Sequence, residues 1–142
     1  PVPAPQPNSV TLSSRLQMRP NDRKYLKSHE WCKVEDGIAT IGLTDFAVSH
    51  LSDLVFLDLP TTGVAVEIGA PFGEIESVKA VSDIVSPITG EIVEVNTDLP
   101  DALDTLDSDP WEAGWMIKVK LDSESSDLLD AAAYEEHVKS EE

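Results

Sequence analysis

From Tyr25 onward, hydrophobic and polar positions follow one another with a period of two. Val55, Leu57 and Leu59 alternate with Phe56 and Asp58; Val64, Val66 and Ile68 alternate with Ala65 and Glu67. Trp115, Ile117, Val119 and Leu121 alternate with Met116, Lys118 and Lys120. Successive side chains of a strand point to opposite faces, so each run predicts a strand with one buried face. Turn-forming residues separate the runs at Asp36-Gly37, Thr62-Gly63, Gly69-Ala70-Pro71, Pro87 through Gly90, and Pro110. Many short strands with frequent turns predict a mostly β sandwich or barrel, not a βαβ sheet.

Two segments read as helices. Thr44 or Asp45 is placed to cap a short one through Phe46, Ala47 and Leu51. A second is expected from about Ser125 to Val138, with Ser123 or Ser125 as its cap and acids in the first turn, where the helix dipole favours them. Residues 97–109, TDLPDALDTLDSD, read as an irregular acidic loop with one helical turn. Residues 1–20 carry five prolines and no apolar period, which predicts a disordered tail ahead of a single domain over 21–142. Within the tail, the acid-free stretch SVTLSSRLQMR resembles the trailing part of an organellar targeting peptide.

Charge is distributed unevenly. Residues 1–27 hold five basic residues against Asp22, whereas residues 28–142 hold 26 acids and five lysines. That surface repels nucleic acid and anionic membranes, and favours basic protein partners or simple solubility. No apolar run approaches the length of a membrane span. Cys32 is the only cysteine, so any dithiol chemistry must come from an attached group.

Between Lys33 and Lys118 a single lysine or arginine occurs, Lys79. Glu74 to Ser77 reads as one strand and Asp83 to Val85 as its partner, which puts Lys79 near a hairpin tip. Its neighbours Val78, Ala80 and Val81 are small and uncharged, leaving a cleared approach. Lysine suits a prosthetic-group carrier because its long stem ends in an amine that can be acylated. A turn exposes that amine while paired strands hold its base. An ordinary exposed loop lysine would read the same way locally.

The surrounding string Glu76-Ser77-Val78-Lys79-Ala80 resembles the lipoylation motif of the glycine cleavage system H proteins. The resemblance continues in order through YLKSHEW (25–31), IGLTDFAVSHL (41–51), Leu59-Pro60, SPITG (86–90), VEVN (93–96) and GWMIKVK (114–120), and spans roughly residues 24–140. Biotin carriers of similar fold place Met on both sides of the lysine. Lipoyl domains of 2-oxo acid dehydrogenases carry Asp-Lys-Ala there and lack the His-Glu-Trp and Gly-Trp segments. Both fit less well.

The resemblance implies a flattened antiparallel β-sandwich, a barrel-sandwich hybrid of the biotinyl/lipoyl-carrier type, with a short internal helix and a C-terminal helix. It implies a non-catalytic carrier with lipoate in amide linkage to Lys79. Glu76 and Gly90 match the positions by which a lipoyl or octanoyl transferase, or a lipoate ligase, recognises the site. For Gly90 the SPITG turn offers a second reason, a positive φ. Ser28, Glu30 and Asp83 match a cleft in which a hydroxyl and two carboxylates hold the aminomethyl group. The implied partners are a pyridoxal-phosphate glycine decarboxylase, a tetrahydrofolate-dependent aminomethyltransferase and a flavin dihydrolipoyl dehydrogenase. The implied home is the mitochondrial matrix, or the cytoplasm if the source is bacterial.

A carrier that relays lipoate to other proteins, and an unmodified interaction module, are the alternatives. His29, His50 and His137 show no HExxH or Cys/His spacing, so no metal site is expected. Ser52 stands where the family's helix usually ends in glycine. Asp107 and Trp111 replace the usual asparagine and tyrosine before Gly-Trp.

Overall fold

The structure, a computed structural model, describes residues 19–141. Among these, nine strands form two antiparallel sheets. The larger runs β1 (Lys24–Tyr25), β2 (Glu30–Glu35), β3 (Ile38–Leu43), β9 (Ile117–Glu124), β8 (Ile88–Val95) and β5 (Ala65–Val66) in spatial order. The smaller runs β4 (Leu54–Asp58), β6 (Pro71–Ser77) and β7 (Val81–Val85). Three helices accompany them: α1 (Asp45–Leu51), α2 (Asp104–Ser108) and α3 (Ala131–Glu141). The two sheets pack as a sandwich and do not close into a barrel.

The alternation seen in the sequence builds the core. Ile41, Ile117 and Val119 from the larger sheet meet Ile75 and Ile84 from the smaller, all almost fully removed from water. Each such side chain contributes about 1.5–3 kcal/mol of burial. A second cluster of Tyr25, Trp31, Phe46, Tyr134 and Val138 fixes α3 to one end of the sandwich. There Tyr134 stacks on Tyr25 with ring centroids 4.7 Å apart.

Several sequence expectations change in three dimensions. Leu57 is buried, but Val55 is exposed, because a bulge between Leu54 and Phe56 breaks the alternation. β5 spans two residues, so of Val64, Val66 and Ile68 only Val66 is buried. The C-terminal helix starts at Ala131, not near Ser125. Leu129 instead exchanges two backbone hydrogen bonds with Tyr25, at 2.8 and 2.7 Å, in an isolated bridge that follows a turn at Ser126–Asp127. Asp130 then caps the helix by accepting from the Ala133 N–H at 2.8 Å, and the first turn contains no acids. Residues 97–109 are more helical than expected, with a 3-10 turn at Leu99–Asp101 followed by α2. Leu99 and Leu106 drive this by inserting into the core.

Of the expected tail, residues 1–18 lie outside the described residues. Its last two positions are tied to the body: Arg19 pairs with Asp45 and Glu135, and Pro20 accepts a hydrogen bond from the Tyr25 hydroxyl. No helix among the described residues is long and apolar enough to cross a membrane.

Candidate functional site

Lys79 sits at the apex of the β6–β7 hairpin. The strands pair antiparallel through Glu74↔Asp83, Ile75↔Ser82 and Glu76↔Val81, and Val78, Lys79 and Ala80 make the reversal. Ser77 holds this turn from below. Its backbone N–H donates to the Ala80 carbonyl at 2.8 Å, and its hydroxyl oxygen accepts from the N–H groups of Lys79 (3.3 Å) and Ala80 (3.1 Å). The Val78 N–H reaches the Asp53 carbonyl at 3.1 Å, bracing the apex against the loop after α1. Ser77 is buried, whereas Val78, Lys79, Ala80 and Val81 are exposed. Among the described residues Lys79 makes no ion pair. A rigid base thus carries an accessible amine.

Beside the hairpin lies a cleft of about 220 Å³, and three of the expected residues converge there. Ser28, Glu30 and Asp83 all line it, together with His29, Phe46, His50 and Glu141. Glu30 is 1% exposed. One of its oxygens accepts from the Ser28 hydroxyl and the other from the Val85 N–H at 2.9 Å. Burial pushes this carboxyl up to about 7, against the opposing pull of those two donors. Asp83, by contrast, is exposed at the cleft mouth. It lies four residues beyond Lys79, at most about 14 Å along the chain. The cleft therefore offers an ammonium one dry carboxyl, one wet carboxylate and a hydroxyl.

Glu76 is half-buried on β6, between Phe56 of β4 and Val81 of β7. Gly90 lies in the other sheet. It sits inside β8 without a positive φ, so the turn explanation for this glycine does not hold. The reason is close approach: a Cβ at Gly90 would fall 2.0 Å from the Lys120 carbonyl oxygen and 2.7 Å from Val119 Cγ1, where β8 and β9 shift register.

The family pattern described as "Glycine cleavage H-protein" matches residues 23–141. The chain belongs to that family. It is 48% identical over 126 residues to the glycine cleavage system H protein of Marinobacter nauticus, covering 87% of this chain and 97% of that protein. Against the mitochondrial H protein of Oryza sativa subsp. indica, identity is 52% over 120 residues, covering 83% of this chain and 73% of that one. Among solved structures, the H protein of Mycobacterium marinum superposes with a TM-score of 0.81 at 40% identity, covering 85% of this chain and 99% of that chain.

Within this H-protein fold, sequence reasoning missed several cleft residues. His29 stands inside the YLKSHEW string, between Ser28 and Glu30, and its spacing in the sequence gives it no cleft role. It has φ +81°, and its Nδ1 meets the Tyr134 hydroxyl at 2.7 Å. Glu141 joins the cleft only because α3 packs back against β1 and meets His29 in the loop before β2, which no local pattern announces. A row of carboxylates was also missed: Asp58, Glu74 and Asp83 are direct neighbours across the three strands of the smaller sheet.

Proposed function

We propose that this chain is the lipoyl carrier of the glycine cleavage system, acylated on the Lys79 amine. The observation that carries the proposal is the juxtaposition of an exposed lysine at a braced hairpin apex with a cleft lined by Ser28, Glu30 and Asp83. When bound, the lipoyl group supplies a dithiol–disulfide couple that accepts an aminomethyl group from one enzyme and yields it to the next.

The chain's own residues do the rest. Lys79 gives a long stem whose charge disappears on amide formation, so the arm does not have to carry an ammonium into an apolar site. Ser77 and the Asp53 carbonyl fix where that stem leaves the surface. Ser28, Glu30 and Asp83 receive a cationic amine: Glu30 releases its proton to solvent as the cation enters, and the Ser28 hydroxyl remains hydrogen-bonded to the carboxylate. Phe46, Leu51 and Ile75 keep water from the cleft floor, which strengthens the ion pair. Glu76 and Gly90 serve the lipoylating enzyme, Glu76 by contact beside the apex and Gly90 by keeping β8 and β9 in register. The partners are the pyridoxal-phosphate decarboxylase, the tetrahydrofolate-dependent aminomethyltransferase and dihydrolipoyl dehydrogenase. The chain itself catalyses nothing. A mitochondrial matrix address fits the basic residues 1–20, and a cytoplasmic one fits a bacterial source; an import assay separates them.

The test is glycine–bicarbonate exchange by a purified glycine decarboxylase. Exchange should depend on the lipoylated chain and fall to background with Lys79→Arg. Background exchange with the lipoylated chain, together with transfer of lipoate to other acceptor proteins, would replace this role by that of a relay carrier.

A further inference from the structure

We propose that His29, His137 and Glu141 form a binding site for a divalent transition-metal cation of the zinc class. One ligand atom from each lies within 4.8 Å of the other two. His137 and Glu141 are spaced i,i+4 on α3, which brings both side chains to one face of the helix. That face lies over the loop before β2, where His29 projects. The His29 Nε2 is 3.0 Å from one Glu141 oxygen, and the His137 Nε2 is 2.5 Å from the other. A fourth donor stands beside them, the Lys27 carbonyl oxygen, 3.0 Å from His137 Nε2.

Two imidazoles, a carboxylate and a carbonyl select borderline metals such as Zn²⁺ over Ca²⁺ or Mg²⁺, which prefer oxygen alone. Bond lengths of about 2.0–2.1 Å to a tetrahedral cation separate its donors by roughly 3.4 Å. The present 2.5 and 3.0 Å gaps lie close to that separation, and all three ligand atoms fall within 4.8 Å of one another, so small side-chain rotations bring them to one cation. Outer contacts already orient one ring. His29 Nδ1 meets the Tyr134 hydroxyl at 2.7 Å, and that hydroxyl meets Thr44 Oγ1 at 2.7 Å in the interior. When Nδ1 donates to that hydroxyl, Nε2 turns its lone pair toward the cluster, the arrangement typical of metal-bound histidine. His29 also holds a left-handed backbone, φ +81°, an unfavourable conformation for a residue with a Cβ. His29 and Glu141 both line the cleft beside Lys79, so a bound cation would fasten the end of α3 at its edge.

A proton shared between the imidazoles and the carboxylate would satisfy the same lone pairs, and experiment separates it from a metal. Tag-free full-length protein, stripped by chelator, is titrated with Co²⁺ at neutral pH while visible d–d absorption is followed, and then with Zn²⁺ in competition. One equivalent of Co²⁺ should give the intense bands of a four- or five-coordinate site, and Zn²⁺ should abolish them. His29→Asn, which retains a residue tolerant of positive φ, and His137→Gln, at a half-buried position, should each weaken binding at least tenfold. His50→Gln and Lys79→Arg should bind as the parent does. Parent affinity no tighter than that of the His29→Asn/His137→Gln double variant overturns the site. So does loss of binding in Lys79→Arg, which would place the metal on an attached dithiol and leave the carrier role intact.

Discussion

At the scale of single residues, Glu30 carries the most consequence. Burial raises its folded-state pKa from an ordinary 4.5 to about 7, so the folded protein holds this proton more tightly than the unfolded chain. Its contribution to stability is complete below about pH 4.5 and is lost as pH rises through 7, in total roughly 3 kcal/mol. Glu30→Gln should remove that slope: urea unfolding from pH 4.5 to 8 should show a smaller fall for the variant, and parallel curves would contradict the assignment. An ammonium in the cleft favours the ionised form, so retention of a cationic group should strengthen over the same interval. Glu30 was legible as a site residue only through the resemblance, because as a strand residue at period two it reads as surface. Its burial depends on the Ser28 loop and on β7, whose Val85 binds it from 55 residues away, a contact no local pattern shows. Lys79 needed less, since its isolation from other basic residues is visible in the chain itself.

At the scale of elements, the hairpin and its supports were mostly legible, and the departures have local causes. Thr44 caps α1 as expected, its hydroxyl oxygen accepting from the Ala47 N–H at 3.2 Å. The helix ends at Ser52, with φ 48° and ψ 162°, a region that only glycine occupies freely. Ser52→Gly should therefore stabilise the protein by about 1 kcal/mol, read as a raised urea midpoint; a lowered midpoint would show that the serine earns its place by a contact. Gly90 teaches the opposite lesson. From sequence it belonged to a turn, but the strand begins at Ile88 and the glycine is demanded by the backbone of β9. Gly90→Ala must push β8 from β9 and should cost about 2 kcal/mol or more, with any loss of lipoylation following the loss of fold. Unchanged stability would refute the close-approach explanation. The late start of α3 was not legible, because the Tyr25–Leu129 bridge that pins the chain ahead of the helix joins residues far apart in sequence.

At the scale of the whole molecule, the sandwich acts as a rigid handle and its charge as a guide. The sheets give the hairpin a fixed base, and a formal charge of −17 keeps the molecule soluble and favours any partner that presents a basic surface. The row of Asp58, Glu74 and Asp83 brings that charge to the sheet that bears Lys79. A single tether on a diffusing body then presents its cargo at high local concentration to each enzyme it docks with. A sandwich or barrel was readable from alternation and turns, and the resemblance narrowed it to two sheets; which strands share a sheet was not readable, because order depends on pairings such as β3 with β9 that lie far apart in the chain. All of this presupposes that the amine at the apex is acylated. Intact and peptide mass spectrometry of the protein from a lipoate-competent host tests that most directly. The increment of one lipoyl amide should map to the peptide containing Lys79 and vanish in Lys79→Arg, while circular dichroism stays unchanged. An unmodified Lys79 under those conditions, or lipoate on another lysine, would contradict the account.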